Sequence, residues 1–234
     1  MRALLVRVGA DGTAVGGGWN APVDASTREF VYVPICEPEP LLAGLETPFA
    51  RWAPAVERLG AALPGSLLDR VAHADPDFAH LTYGDRRGRG RQIREKLGPG
   101  DLLVFYAGLR DVHSRGLVYA LIGLIEIDAV VAACEVPADR RGWNAHTRRR
   151  EVGETDVVVF GRPGRSGRFA RCVPFATHRA GAYRVLPELL DAWGGLHVKD
   201  GYVQRSARLP ELADAARFLA WLRRQDVTLV ERDN

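Results

Sequence analysis

The sequence is poor in cysteine and poorer still in lysine. Its three cysteines, Cys36, Cys134 and Cys172, are far apart, odd in number and without a CxxC pair. That argues against a disulfide framework or a zinc knuckle. They read as small buried or half-buried side chains in a reducing cytosol, which gives a cytoplasmic expectation. No apolar run approaches the roughly 20 residues of a spanning helix. The longest candidate, Leu117 to Ala133, is broken by Gly123, Glu126 and Asp128, so no membrane partner is expected. The opening run Ala3-Leu4-Leu5-Val6 is too short for a signal peptide and reads as a first strand. Neither a Ser-His-Asp order, nor HExxH, nor a cysteine nucleophile with a nearby histidine is present, which leaves hydrolases of those kinds without support.

Of the 32 basic residues only Lys96 and Lys199 are lysine, and the other 30 are arginine, yet the net charge is only +3. Arginine forks onto phosphate and guanine and stacks on bases. A GC-rich genome also replaces lysine by arginine throughout, so the clustering of the arginines is more informative than their number. The hydrophobic fraction of 47% and charged fraction of 26% are those of a globular protein. No repeat and no linker separates two composition regimes, and residues 1–234 read as one domain.

The expected elements run as follows. Residues 2–8 form a strand, followed by a glycine-rich turn. Phe30 to Ile35 is a β-branched, aromatic second strand, and Trp52 to Ala62 holds a short helix. Arg86 to Lys96 is helical in its latter half. Gly98-Pro99-Gly100-Asp101 turns into Leu102-Leu103-Val104-Phe105-Tyr106, a continuous apolar run that reads as a buried strand. Leu117 to Ile127 is its hairpin partner. Residues 138–155 are polar and arginine-rich and are expected as a loop or surface helix. Asp156 to Phe160 is a strand, Gly161 to Arg168 a loop, and Cys172 to Phe175 short and extended. Val185 to Trp193 starts a helix. Leu209 to Arg224 is the clearest helix, with Pro210 at its start. The fold class is α+β, a mixed β-sheet or PUA-like partly open β-barrel flanked by helices.

Two resemblances bear on this. Arg91 to Tyr106, continued by Ala120 to Ile127, runs as a basic helix, then "GDLLVFY", then "IGLIEI". It resembles the central unit of PUA-like domains of the EVE and ASCH type, small barrels that cradle modified or flipped bases. Gly123 would there let a backbone or a base approach closely. The second resemblance spans most of the chain. Arg7 to Thr13, Gly16-Gly17-Gly18, Pro22, Pro34-Ile35-Cys36-Glu37 and His73-Ala74-Asp75-Pro76-Asp77-Phe78 follow the order of the nucleotide modification associated domain family, the third of that numbered series. So do Gly100 to Tyr106 and Gly164 to Phe169. This implies a role in DNA base modification systems, with DNA, a nucleotide or RNA as partner alongside other enzymes of such a system.

His73, Asp75 and Asp77 form the sharpest constellation. Pro76 biases Asp75 to extended backbone, where residues two apart share a side. The three could then serve as an acid–base pair, hold a divalent metal, or simply cap a turn through nearby amides. Neither a metal nor a cofactor is assigned. Asp11 and Thr13, among Gly9, Gly12 and Gly16 to Gly18, are a second candidate, since glycines such as Gly17 free backbone amides to face an anion. No lysine follows and the spacing is wrong, so this is neither a Walker loop nor a dinucleotide fingerprint. Arg7 could point into the same pocket. Clusters at Arg86 to Arg91, at Arg140-Arg141 with Arg148 to Arg150, and at Arg162 to Arg168 (including Arg165) lie near Tyr83, Trp143 and Phe169. Arginines with aromatics suit a nucleic-acid surface, while each cluster alone is commonly a solvated loop. Tyr106 and Trp143-Asn144 are candidate base-recognition groups.

Three functions stay open: an enzyme acting on a DNA base or nucleotide, a module that reads a modified base without chemistry, and a metal-dependent nuclease.

Overall fold

The computed structural model describes residues 1–10, 19–204 and 208–234. Its strands, in chain order, are β1 (Ala3–Arg7), β2 (Pro22–Val23), β3 (Ile35–Cys36), β4 (Ala72–His73), β5 (Thr82–Asp85), β6 (Leu102–Asp111), β7 (Leu117–Ala132), β8 (Val157–Gly161), β9 (Gly167–Arg179), β10 (Ala182–Val185) and β11 (Leu229–Val230). The α-helices are α1 (Ala53–Arg58), α2 (Gly65–Leu68), α3 (Arg87–Lys96), α4 (Pro187–Trp193) and α5 (Ala215–Arg223). Among the described residues, nine strands join one mixed sheet, and β3 and β4 form a separate two-stranded ribbon. The class is α+β, as the sequence implies, and the sheet is open: β1-β6-β7-β8-β5 is a path with two ends, not a closed barrel.

β1 and β2 lie parallel to β6, and β6 and β7 form the expected antiparallel hairpin. β7 is long enough to serve two partners on its other edge. Tyr119 to Leu124 pair with β9, and Ile127 to Ala132 pair with β8. Two bulges in the β7–β9 register and one in the β7–β8 register accompany the change of partner.

The central strands bury both faces. Leu4, Val6, Leu103 and Phe105 face a first core with Phe49, Trp52, Phe78 and Ile93. Ala3, Leu5, Leu102, Val104 and Tyr106 face a second, with Phe169, Phe175, Trp193, Phe218 and Trp221. Period-two alternation thus sends apolar groups both ways, which is why this strand reads as a continuous apolar run.

Several local expectations are corrected. Residues 209–212 continue as extended chain, because the open edge of β1 needs partners: Leu5 N–H donates to the Pro210 carbonyl (2.8 Å) and Leu212 N–H to that of Ala3 (3.0 Å). The helix begins only at Ala215, where the Asp214 carboxylate caps it by accepting the Arg217 N–H (2.9 Å). Phe30 to Val33 are buried but join the sheet through a single bridge to β2. Residues 172–175 belong to a 13-residue strand. Residues 144–149, expected at the surface, are buried. Gly123 admits the Phe78 ring and the Gly167 carbonyl, which a Cβ would meet at 2.7 and 2.8 Å.

Candidate active site

The β3–β4 ribbon pairs Ile35 with His73, which brings Glu37, just past the end of β3, beside the His73 ring. The Glu37 carboxylate accepts from His73 Nδ1 (2.5 Å). Across the site, His146 Nδ1 donates to Asp156 Oδ2 (2.8 Å). Arg149 spans both carboxylates. Its Nε and Nη2 lie 3.2 and 3.1 Å from Glu37 Oε1, and its Nη1 lies 3.4 Å from Asp156 Oδ2. All five side chains are at least nine-tenths buried.

Between the two imidazoles sits Asp75. Its Oδ2 is 3.7 Å from His73 Nε2 and 3.6 Å from His146 Nε2. The carboxylate is fixed from behind: Gly84 N–H donates to it (2.8 and 3.0 Å), and Asn144 Nδ2 lies 3.3 Å from Oδ1. Asn144 Oδ1 also accepts the His146 N–H (2.9 Å), so one amide aligns two members of the cluster. Gly84 is required by this closeness. A Cβ there would stand 2.4 Å from His146 Cδ2 and 2.7 Å from Asn144 Oδ1. Among the described residues, His73, Asp75 and His146 offer ligand atoms all within 4.8 Å of one another, a donor set of the kind that holds a cation.

Burial alone would raise the Glu37 and Asp156 carboxyls, but their histidine partners and Arg149 bring both below their ordinary values. Burial alone would lower His73, and the Asp75 and Glu37 carboxylates raise it instead.

His73, Asp75 and His146 open onto a cavity of about 220 Å³. Its other walls include Arg7, Val8 and Gly9 from the end of β1, Tyr83, Asp85, Arg86 and Arg89 around the start of α3, Tyr106, Arg149 and Arg208. The end of β1, from Arg7 to Gly9, and the histidine-bearing segment therefore share one hollow.

The other sequence candidates fall as follows. Asp77 is absent from the cavity lining and points elsewhere. Its carboxylate accepts from Arg148 Nη2 (2.8 Å) and the His80 N–H (3.0 Å), while its backbone pairs with Thr82 in a tight turn. Hydrogen bonding within that turn overrides the alternation that would have put Asp77 beside Asp75. Tyr106 lines the cavity, and its hydroxyl donates to the Val203 carbonyl (2.6 Å). Asn144 stands behind Asp75, 1% exposed. Arg165 pairs with Glu126, and Arg168 donates to the Phe169 carbonyl and covers the Phe30 ring; neither lines the cavity. Phe169 is wholly buried in the second core and cannot stack a base. Asp11, Thr13 and Gly17 lie outside the described residues.

Sequence reasoning missed His146, Asp156 and the bridging role of Arg149. One signal was available: of six histidines only His73 and His146 are buried, and His146 follows Asn144 in the one stretch with Trp-Asn-x-His. Its arginine neighbours gave the stretch the look of a surface loop.

Fold and site together define an open-sheet α+β domain with a buried histidine–carboxylate cluster facing an arginine-lined cavity. The family model described as nucleotide modification associated domain 3 matches residues 2–225, and the chain belongs to that family. Searches of curated proteins and of solved structures gave no match. Among the described residues, no helix is long and apolar enough to cross a membrane.

Proposed function

We propose that the cavity receives a nucleobase or nucleotide and that the chain acts on it as an enzyme of DNA base or nucleotide modification. The observation that carries this reading is the meeting, in one hollow, of the His73–Asp75–His146 cluster with Arg7, Arg86, Arg89 and Arg208. Guanidinium groups suit phosphate oxygens, and a buried imidazole–carboxylate group suits proton transfer at a base. The volume of about 220 Å³ is below the roughly 300–1,000 Å³ of pockets for drug-sized ligands, which favours a single nucleoside unit over a longer strand. Membership of a nucleotide modification family supports the same class of substrate. In this reading His73 and Asp75 face the reacting base, and Asp77, outside the cavity lining, anchors Arg148 without a part in the reaction.

The test is incubation of the full chain with deoxynucleotides and with plain and modified oligonucleotides, followed by mass spectrometry of the nucleosides. A nucleoside of altered mass, lost in Asp75→Asn and retained in Asp77→Asn, is the expected result. Binding should also weaken steeply as salt rises, because phosphate contacts release counterions. Modification-dependent binding without product would make the chain a reader, and strand cleavage that needs magnesium or manganese would make it a nuclease. Absence of both saturable binding and product would overturn the assignment.

A further inference from the structure

We propose that His73, Asp75 and His146 are the protein ligands of a divalent first-row transition-metal ion. The ring nitrogens carry the first part of the argument. Each Nδ1 is engaged by a carboxylate, Glu37 for His73 and Asp156 for His146. A carboxylate at Nδ1 keeps a ring proton there and leaves Nε2 facing inward as the donor atom, the outer-carboxylate arrangement characteristic of metal-bound histidine. Both inward nitrogens aim at one oxygen, Asp75 Oδ2, at 3.7 and 3.6 Å. Those distances are too long for hydrogen bonds. Donors each about 2.1 Å from a shared ion stand roughly 3.0–3.4 Å apart in octahedral or tetrahedral geometry, so contraction from separations that all lie within 4.8 Å completes the site.

Charge points the same way. Glu37, Asp75 and Asp156 are three buried carboxylates, and Arg149 is the guanidinium among them. The nearby Asp85–Arg89 and Glu39–Arg86 pairs neutralise each other. Within the cluster the three carboxylates exceed Arg149 by two charges, which one divalent ion between Asp75 and the imidazoles would offset, beside the Arg7 and Arg208 guanidiniums on the same cavity wall.

Two nitrogens and one oxygen form a borderline donor set. It suits iron(II), manganese(II), cobalt(II), nickel(II) or zinc better than magnesium or calcium, which prefer all-oxygen shells. Gly84 and Asn144 hold the Asp75 carboxylate in place, and His73, Asp75 and His146 all line the cavity, so the remaining coordination positions would open toward the space proposed for the nucleotide. The inference rests on the nucleotide reading for the role of the ion, not for its binding.

The test is titration of chelator-treated full-length protein with cobalt(II) alone, read by visible absorption and by elemental analysis after dialysis. Expected are one equivalent per chain, absorption bands of a low-symmetry nitrogen–oxygen site, and competition by iron(II) or zinc. His146→Ala, checked for fold by circular dichroism, should weaken cobalt binding at least about 100-fold, while His113→Ala, at an exposed position, should not change it. Glu37→Gln should weaken it about 10–100-fold through the outer contact. A second readout does not depend on any variant: copper(II) bound to the wild-type chain should show hyperfine coupling to two imidazole nitrogens in its paramagnetic resonance spectrum. Absence of saturable cobalt binding in the wild type, or unchanged binding in folded His146→Ala, would sink the proposal. Nucleotide binding measured in chelator is a separate result, so the metal assignment and the nucleotide reading can fail independently.

Discussion

Replacing Arg149 with methionine should be among the most damaging single changes outside the two cores. Arg149 is 4% exposed in its side chain, and the two carboxylates it spans, Glu37 and Asp156, are 1% and 4% exposed. Methionine fills much of the same volume but supplies no donors, so both anions stay buried and lose their shared cation. Breaking one buried ion pair by removing a partner costs roughly 3–5 kcal/mol. Glu37 keeps His73 and Asp156 keeps His146, but both lose the permanent cation they share, which places this case within that range. With a urea slope of about 3 kcal/mol per molar, the unfolding midpoint should fall by on the order of 1 M or more. Such a loss is a large share of the roughly 5–15 kcal/mol that holds a typical domain folded. The measurement is urea unfolding followed by circular dichroism for four proteins: wild type, Arg149→Met, Glu37→Gln and the double variant. If the stranded charge causes the damage, neutralising Glu37 in the Arg149→Met background should recover stability, with a coupling of at least about 1 kcal/mol. A loss below about 1 kcal/mol in Arg149→Met, or strict additivity in the double variant, would refute the reasoning.

Three further outcomes are expected. Gly84→Ala should displace His146, since the new methyl would stand 2.4 Å from its ring; a crystal structure of the variant with an unmoved ring would contradict this. Among the thiols, Cys134 is exposed and should react with a thiol reagent within minutes, whereas Cys172, buried and with burial pushing its thiol up to about 12, should react only after unfolding. Asp111, whose carboxylate accepts from the Ser114 hydroxyl and the Ala25 and Ser114 amides, is held down at about 2. Its stabilisation is therefore present above the unfolded value of about 3.9 and mostly lost as pH falls to 2. Asp111→Asn should cost about 1–2 kcal/mol in urea melts at pH 7 and markedly less at pH 2; an equal penalty at both would show that the carboxylate's charge is irrelevant.

The parts of the fold that follow from local pattern were legible in the sequence. β1, the β6–β7 hairpin, α3 and α4 follow from apolar runs, a Gly-Asp turn and a proline in the first helical turn. What was not legible depended on tertiary contact. The stretch from Leu209 has helical spacing, yet the open edge of β1 claims residues 209–212 as extended chain. Arg148 and Arg149 look like surface residues because a lone arginine avoids burial, and only their partners Asp77, Glu37 and Asp156 make burial tolerable. The candidate site was half visible. His73 and Asp75 stood out through the proline between acidic residues, but His146 and Asp156 come from elsewhere in the chain. The same proline misdirected the reading of Asp77, whose orientation is set by its pairing with Thr82.

Arg149 and Glu37 lie 112 positions apart. A contact so remote along the chain gives the pocket an all-or-nothing character. No excised peptide could contain it, since the half that supplies His73 lacks the guanidinium that makes Glu37 bearable there, and the half that supplies His146 lacks Asp75. During synthesis the first half must wait, its acidic groups still hydrated, until residues beyond 140 emerge. A nick around residue 138 would leave His73 and Asp75 on one fragment and His146 and Asp156 on the other, held together only by the packing of two cores that both fragments build.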